Sequence, residues 1–104
     1  MAKGALLVES RASSPERAEE FGKWYAEVHI PEVLALEGFV SGRLMKQLDG
    51  DGSFISYYEI EADDLTDVAK RLSAAARDGS ITMSDSMQMD PPPAMRFLEV
   101  TAEH

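Results

Sequence analysis

Phe21-Gly22-Lys23-Trp24-Tyr25-Ala26-Glu27-Val28-His29-Ile30-Pro31 is the stretch that decides how this chain folds. Phe21, Trp24, Tyr25 and Val28 stand at i, i+3, i+4 and i+7, which makes one apolar stripe at helical period. Charged residues fill much of the rest of the turn, so the stripe must lie on an apolar surface elsewhere in the molecule. Backwards, Ser13 and Ser14 can cap the helix and Pro15 suits its first turn. Glu16, three residues after Ser13, completes the pattern of a capping box. Forwards, Pro31 lacks an N–H and its ring crowds the carbonyl of Glu27. It also pushes Ile30 out of the helical region. The helix is therefore expected to end or kink at His29-Ile30. A second short turn, Pro31 to Leu36, is expected to stop at Gly38.

The flanks read as strands. Ala5 to Glu9 is a short, nearly continuous apolar run, as in a strand central to a sheet. Phe39 to Leu48 and Ser53 to Ile60 read as two strands joined by Asp49-Gly50-Asp51-Gly52, a hairpin turn by composition. Asp63-Asp64 start a second helix, with Leu65, Val68, Ala69, Leu72 and Ala76 on its apolar face and Asp78-Gly79 at its end. A last strand is expected near Met95 to Thr101. Met45 and Met95 fall in strands and are expected in the core. Residues 80–94 hold Met83, Met87, Met89 and Pro91-Pro92-Pro93, with no helical pattern. A loop of that length in a small domain is expected to be functional or mobile.

The order β-α-β-β-α-β predicts the α+β class, as a ferredoxin-like sandwich of one antiparallel sheet with two helices on one face. At 104 residues, residues 1–104 are expected to form one domain. Apolar residues on both strand faces of so small a chain predict a homodimer, two sheets packed face to face.

Composition excludes several functions. There are no cysteines, so a disulfide framework, a thiol nucleophile and a thiolate metal site are ruled out. Two histidines far apart, His29 and His104, do not suggest zinc, and no metal is expected. The balance of 10 Lys+Arg against 19 Asp+Glu gives a net charge of −9 and argues against nucleic acid as a partner. No apolar run approaches the ~20 residues of a membrane span. The N-terminus does not resemble a secretory signal, so a cytoplasmic location is expected. Glycine-rich phosphate or dinucleotide motifs are missing, and no cofactor is expected.

His29 is the first candidate for chemistry. Imidazole is the side chain best suited to proton transfer near neutral pH. The same residue could instead cap carbonyls at a helix end. Glu32, at i+3, is placed to orient the ring. Tyr25 lies at i−4 and is a second catalytic candidate, with Trp24 and Phe21 as neighbouring ligand contacts. Tyr57 and Tyr58 could offer hydroxyls, but they point to opposite sheet faces, so at most one faces a cavity on the helix side. Arg43 could bind an anion or serve as an interface charge. Met83, Met87 and Met89 could line or cover an apolar pocket, or equally fill a dimer interface.

Trp24-Tyr25-Ala26-Glu27-Val28-His29-Ile30-Pro31-Glu32-Val33, followed by Leu36-Glu37-Gly38-Phe39-Val40-Ser41-Gly42-Arg43, resembles the EthD-like branch of the dimeric α+β barrel superfamily. That branch carries an aromatic residue, then His-x-Pro, then a short helix and commonly Pro-Gly; here Glu37 replaces the proline. The resemblance implies a dimeric barrel, with His29 as the histidine of the His-x-Pro motif. The superfamily includes cofactor-free monooxygenases of aromatic polyketides, polyketide cyclases and lactone isomerases. The implied function is cofactor-free acid–base chemistry on an apolar aromatic or polyketide-like compound. A non-catalytic ligand-binding or accessory dimer in an oxidative or degradative pathway is the alternative.

Overall fold

The computed structural model describes residues 1–50 and 52–104. The predicted turn Asp49-Gly50-Asp51-Gly52 includes Asp51, which lies outside them. Among the described residues the elements run β1 (Ala2–Ser10), a 3-10 turn (Pro15–Arg17), α1 (Ala18–Trp24), a π-helical turn (Tyr25–His29), α2 (Ile30–Leu34), β2 (Phe39–Lys46), β3 (Phe54–Ala62), α3 (Leu65–Asp78) and β4 (Ala94–Glu99). The sheet is ordered β2-β3-β1-β4, and each neighbouring pair is antiparallel. This is the ferredoxin-like α+β fold. The apolar run of β1 is explained by its inner position between β3 and β4. No helix among the described residues is long and apolar enough to cross a membrane.

Pro31 does not break the helix. Trp24, Tyr25, His29 and Ile30 all keep right-handed helical dihedrals, and the backbone runs from α1 through the π-helical turn into α2. The wider π-type turn directly before Pro31 departs from the i→i−4 pattern in which proline lacks a donor and crowds the carbonyl of Glu27. The expected break at His29-Ile30 is therefore a local widening, with Pro31 in the first turn of α2. The capping box is also absent. Ser14 sits at the start of the 3-10 turn with no side-chain cap bond. The Ser13 amide instead donates to the carbonyl of Ser86, 2.6 Å away.

Other punctuation matches the residues. Gly38 adopts φ +100°, and a Cβ there would lie 2.7 Å from Cγ2 of Val68. Only glycine suits both demands. Asp64 caps α3 by accepting from the Thr66 amide, and Gly79 ends it in the left-handed region.

Sheet register divides the side chains. Leu6 pairs with Tyr58 and with Phe97, and Val8 pairs with Ser56 and with Met95. These residues share the face beneath the helices. Phe21, Tyr25, Ile30 and Val33 from the first helical arm and Val68, Leu72 and Ala75 from α3 close over them. Gly42 permits the Tyr58 ring to lie against β2, since a Cβ there would come within 2.9 Å of that ring. Leu7, Arg43, Tyr57 and Arg96 share one row on the opposite face.

Residues 80–94 form an anchored segment. The Thr82 amide and hydroxyl both donate to the Glu32 carboxylate, at 2.9 and 2.8 Å. Arg17 donates to the carbonyl and carboxylate of Asp85. Ile81, Ser86 and Met87 are buried.

Candidate functional site

The π-helical turn aims its side chains at the sheet. Tyr25 is buried, and its hydroxyl lies 2.8 Å from the Ser56 Oγ on β3. His29, one turn on, is held between two rings. Trp24 stacks on it at 4.9 Å and 30°, and Tyr25 meets it edge-on at 4.7 Å. Phe21 supports the group from below, touching Trp24, Tyr25 and Phe54. Four aromatic or imidazole rings on one helical arm thus form a rigid wall.

That wall bounds an apolar cavity of about 410 Å³. Leu6 and Val8 of β1, Tyr58 of β3, and Met95 and Phe97 of β4 form its floor. Tyr25, His29 and Val33 make one side, and Leu72, Ser73 and Ala76 of α3 the other. Ile81, Met83, Met87, Met89, Pro92 and Pro93 cover it. The volume is that of a small-molecule site.

Two polar atoms of residues that line this cavity are buried without a well-formed hydrogen bond: Nδ1 of His29, and the hydroxyl of Tyr58, which lies beside the hydroxyls of Tyr25 and Ser56. Such orphans are costly and call for a physical explanation. Burial pushes the His29 pKa below its ordinary 6.5, against weaker opposing effects from the Glu32 carboxylate and the Thr82 backbone. The imidazole is therefore neutral at pH 7 and can accept a proton or a hydrogen bond. Burial also raises both tyrosines, Tyr58 far more than Tyr25. Both stay protonated, as hydrogen-bond donors. Among the described residues, no cluster of three or more His, Asp or Glu could hold a metal ion.

The residues singled out from sequence separate into groups. His29, Tyr25, Tyr58, Met83 and Met87 come together around the cavity. Phe21 lies fully buried behind it, and Trp24 backs His29 without lining the cavity. Tyr57 and Arg43 do not join them. They sit on the other sheet face, where the Arg43 guanidinium lies 5.8 Å from the Tyr57 ring centre. Their strand parity puts them there, opposite Tyr58. Glu32 does not orient His29 by a hydrogen bond; its carboxylate is taken by Thr82. Met95 is half-exposed at the cavity rather than core, because β4 is an edge strand, and Met45 is exposed on the far face.

Ser56 and Phe97 have structural parts here that no sequence motif signals. Ser56 alternates with Tyr58 and Ile60 along β3, so period two alone puts it on their face. Phe97 alternates with Met95 in the same way on β4.

No family model and no curated protein matches the chain. Solved structures do. The chain is similar to a protein of unknown function from Nitrosomonas europaea, with 21% identity, TM-score 0.59, and 100% of this chain and 94% of that one covered. It is similar to the heme-degrader MhuD from Mycobacterium tuberculosis, solved with two hemes bound in its active site. There the identity is 16% and the TM-score 0.66, over 96% of this chain and 98% of that one. A mutant of MhuD with two manganese protoporphyrin IX molecules per active site matches at 16% identity and TM-score 0.60, over 96% and 97% of the two chains. What this chain shares with all three is the ferredoxin-like α+β fold.

Proposed function

We propose that this protein is a small-molecule enzyme of the dimeric α+β barrel type, of the EthD-like branch. It performs cofactor-free acid–base chemistry, such as cyclisation, isomerisation or oxygenation, on an apolar aromatic or polyketide-like compound. One observation carries the reading: the buried, unpartnered Nδ1 of a neutral His29 at the wall of an apolar cavity of about 410 Å³. A ligand oxygen placed there satisfies the orphan atom. With its pKa held below 6.5, His29 can take a proton from a phenol, enol or activated C–H. Tyr58, kept protonated by burial beside Tyr25 and Ser56, can donate to the oxygen on which charge develops. Tyr25 assists by positioning. Its hydroxyl is engaged with Ser56 and its ring holds the imidazole.

MhuD binds heme, and a heme carries two carboxylates. Among the described residues no Lys or Arg lines this cavity. The reading therefore takes an uncharged ring compound as substrate. A heme titration is the first control, and tight saturable heme binding would redirect the substrate class.

The protein works as a homodimer in the cytoplasm on this reading. Leu7, Ile55, Tyr57 and Leu98 on the face away from the helices supply the apolar contact. Sedimentation equilibrium at micromolar concentration should return twice the chain mass.

The test is turnover of a panel of phenols, hydroxyquinones and lactones, followed by mass spectrometry, with wild type and His29→Ala. Loss of about 10²–10⁴-fold in the variant, with an unchanged circular dichroism spectrum, supports the assignment. Equal turnover removes His29 from the mechanism. A second reading is favoured by Tyr25, whose hydroxyl is engaged with Ser56. With one group left to move protons near neutral pH, the cavity suits a non-catalytic binding or accessory dimer. Saturable one-to-one binding with no product would establish that alternative.

A further inference from the structure

A second cavity lies next to the first, along the groove between α3 and β4. α3 packs over β3 and β1. The helix-side residues of β4 stay partly uncovered, with Met95 49% and Phe97 37% exposed. The second cavity has about 460 Å³, with Ile60 and Leu65 among its apolar walls. The two spaces follow one another in step along both elements. On β4, Met95 lines the first, Glu99 the second, and Phe97 between them lines both. On α3, Leu72 and Ser73 line the first, Leu65 and Thr66 the second, and Ala69 between them lines both. Phe97 and Ala69 thus mark the level where the cavities meet. Ala69 contributes only a methyl group, so Phe97 is the bulkier of the two side chains at that level.

We infer that Phe97 is a specificity-determining residue that sets the length limit of the ligand. This rests on the reading of the first cavity as a ligand site. Compact ring systems fit on the His29 side of Phe97, and elongated apolar compounds are excluded. From Met95 to Glu99 the strand advances about 13 Å at about 3.3 Å per residue. Without the Phe97 ring as a partition, that length becomes available to a rod-shaped molecule. Asp63, Asp64 and Glu99 also line the second cavity. Like charges repel, so a tail entering it is uncharged rather than a carboxylate.

Fluorescence titration of the full chain with two uncharged probes tests this. Alpha-naphthol is compact, and diphenylhexatriene is a rod. Wild type is expected to bind alpha-naphthol and to bind diphenylhexatriene weakly. Phe97→Ala should raise the ratio of diphenylhexatriene to alpha-naphthol affinity about tenfold or more, whatever the loss of ring contact does to alpha-naphthol itself. Phe97→Trp should keep the exclusion, and Ala69→Phe added to Phe97→Ala should restore it. Phe97→Leu, a milder change, should show a smaller gain and serves if the alanine variant does not fold. Alpha-naphthol binding with no gain for the rod in the alanine or leucine variant overturns the partition alone. No binding of alpha-naphthol to wild type overturns the cavity reading and the partition with it.

Discussion

The hydroxyl of Tyr25 and the Oγ of Ser56 lie 2.8 Å apart in the core, a hydrogen bond that ties the π-helical turn to the middle of β3. Both residues are buried, so neither atom can turn to water. Ser56→Ala leaves the tyrosine hydroxyl short of its partner and should cost about 1–3 kcal/mol. Tyr25→Phe should cost a similar amount. Together they should cost less than their sum, because the second change strands nothing new. Urea unfolding of the four proteins measures the coupling, and strict additivity would mean that the bond contributes nothing to stability.

His29 predicts a stability profile with a defined sign. Its folded pKa is lowered by burial, whereas the unfolded chain titrates near 6.5. Between those two values the unfolded state binds more protons, so stability rises with pH across that window. The contribution is complete above about pH 6.5 and is lost as pH falls toward the folded pKa. His29→Gln should flatten this part of the curve. Asp64, Asp78 and Asp85, all held below the ordinary 3.8, act only in more acidic solution. Thermal melts from pH 4 to 8 of wild type and variant provide the comparison, and parallel curves would contradict the buried, neutral state.

Gly38→Ala should destabilise by more than about 1 kcal/mol. The new methyl meets strain from φ +100° and the Val68 side chain together. Chemical denaturation reads the shift, and a neutral effect would show that the loop between α2 and β2 relaxes freely.

Glu32→Ala removes both anchors of Thr82. Global stability should fall by about 1 kcal/mol, as for exposed hydrogen bonds. The larger effect is local. Amide exchange at Thr82 and Ile81 should quicken while β1 and β3 stay protected. Unchanged exchange at Thr82 would show that the buried Ile81 and Met87 hold the segment by themselves.

Much of the fold is legible in the sequence because its signals are local. The stripe Phe21, Trp24, Tyr25, Val28 predicts a helix, and three of these four pack inward or against the packed rings; Val28 is exposed. Asp64, Gly79 and Gly38 mark element ends by backbone chemistry that needs no distant partner. Strand parity likewise separates Tyr57 from Tyr58, since neighbours along a strand face opposite ways. Pro31 departs from expectation for a physical reason. The proline rule assumes an unbroken α-helical ladder, and the π-helical turn escapes that assumption.

Periodicity and caps act over a few residues, so the order of strands and helices and the histidine set among aromatic residues are legible in the chain, while the π-helical turn before Pro31 is not. Which sheet face meets the helices depends on packing between distant segments, and it is this packing that brings Tyr58 to the cavity and leaves Tyr57 and Arg43 on the other face. The tertiary structure also decided the path of residues 80–94, which hangs on contacts such as Glu32 with Thr82, 50 positions apart. Such contacts have no period to betray them. They form only where the folded chain brings two distant polar groups within hydrogen-bond reach.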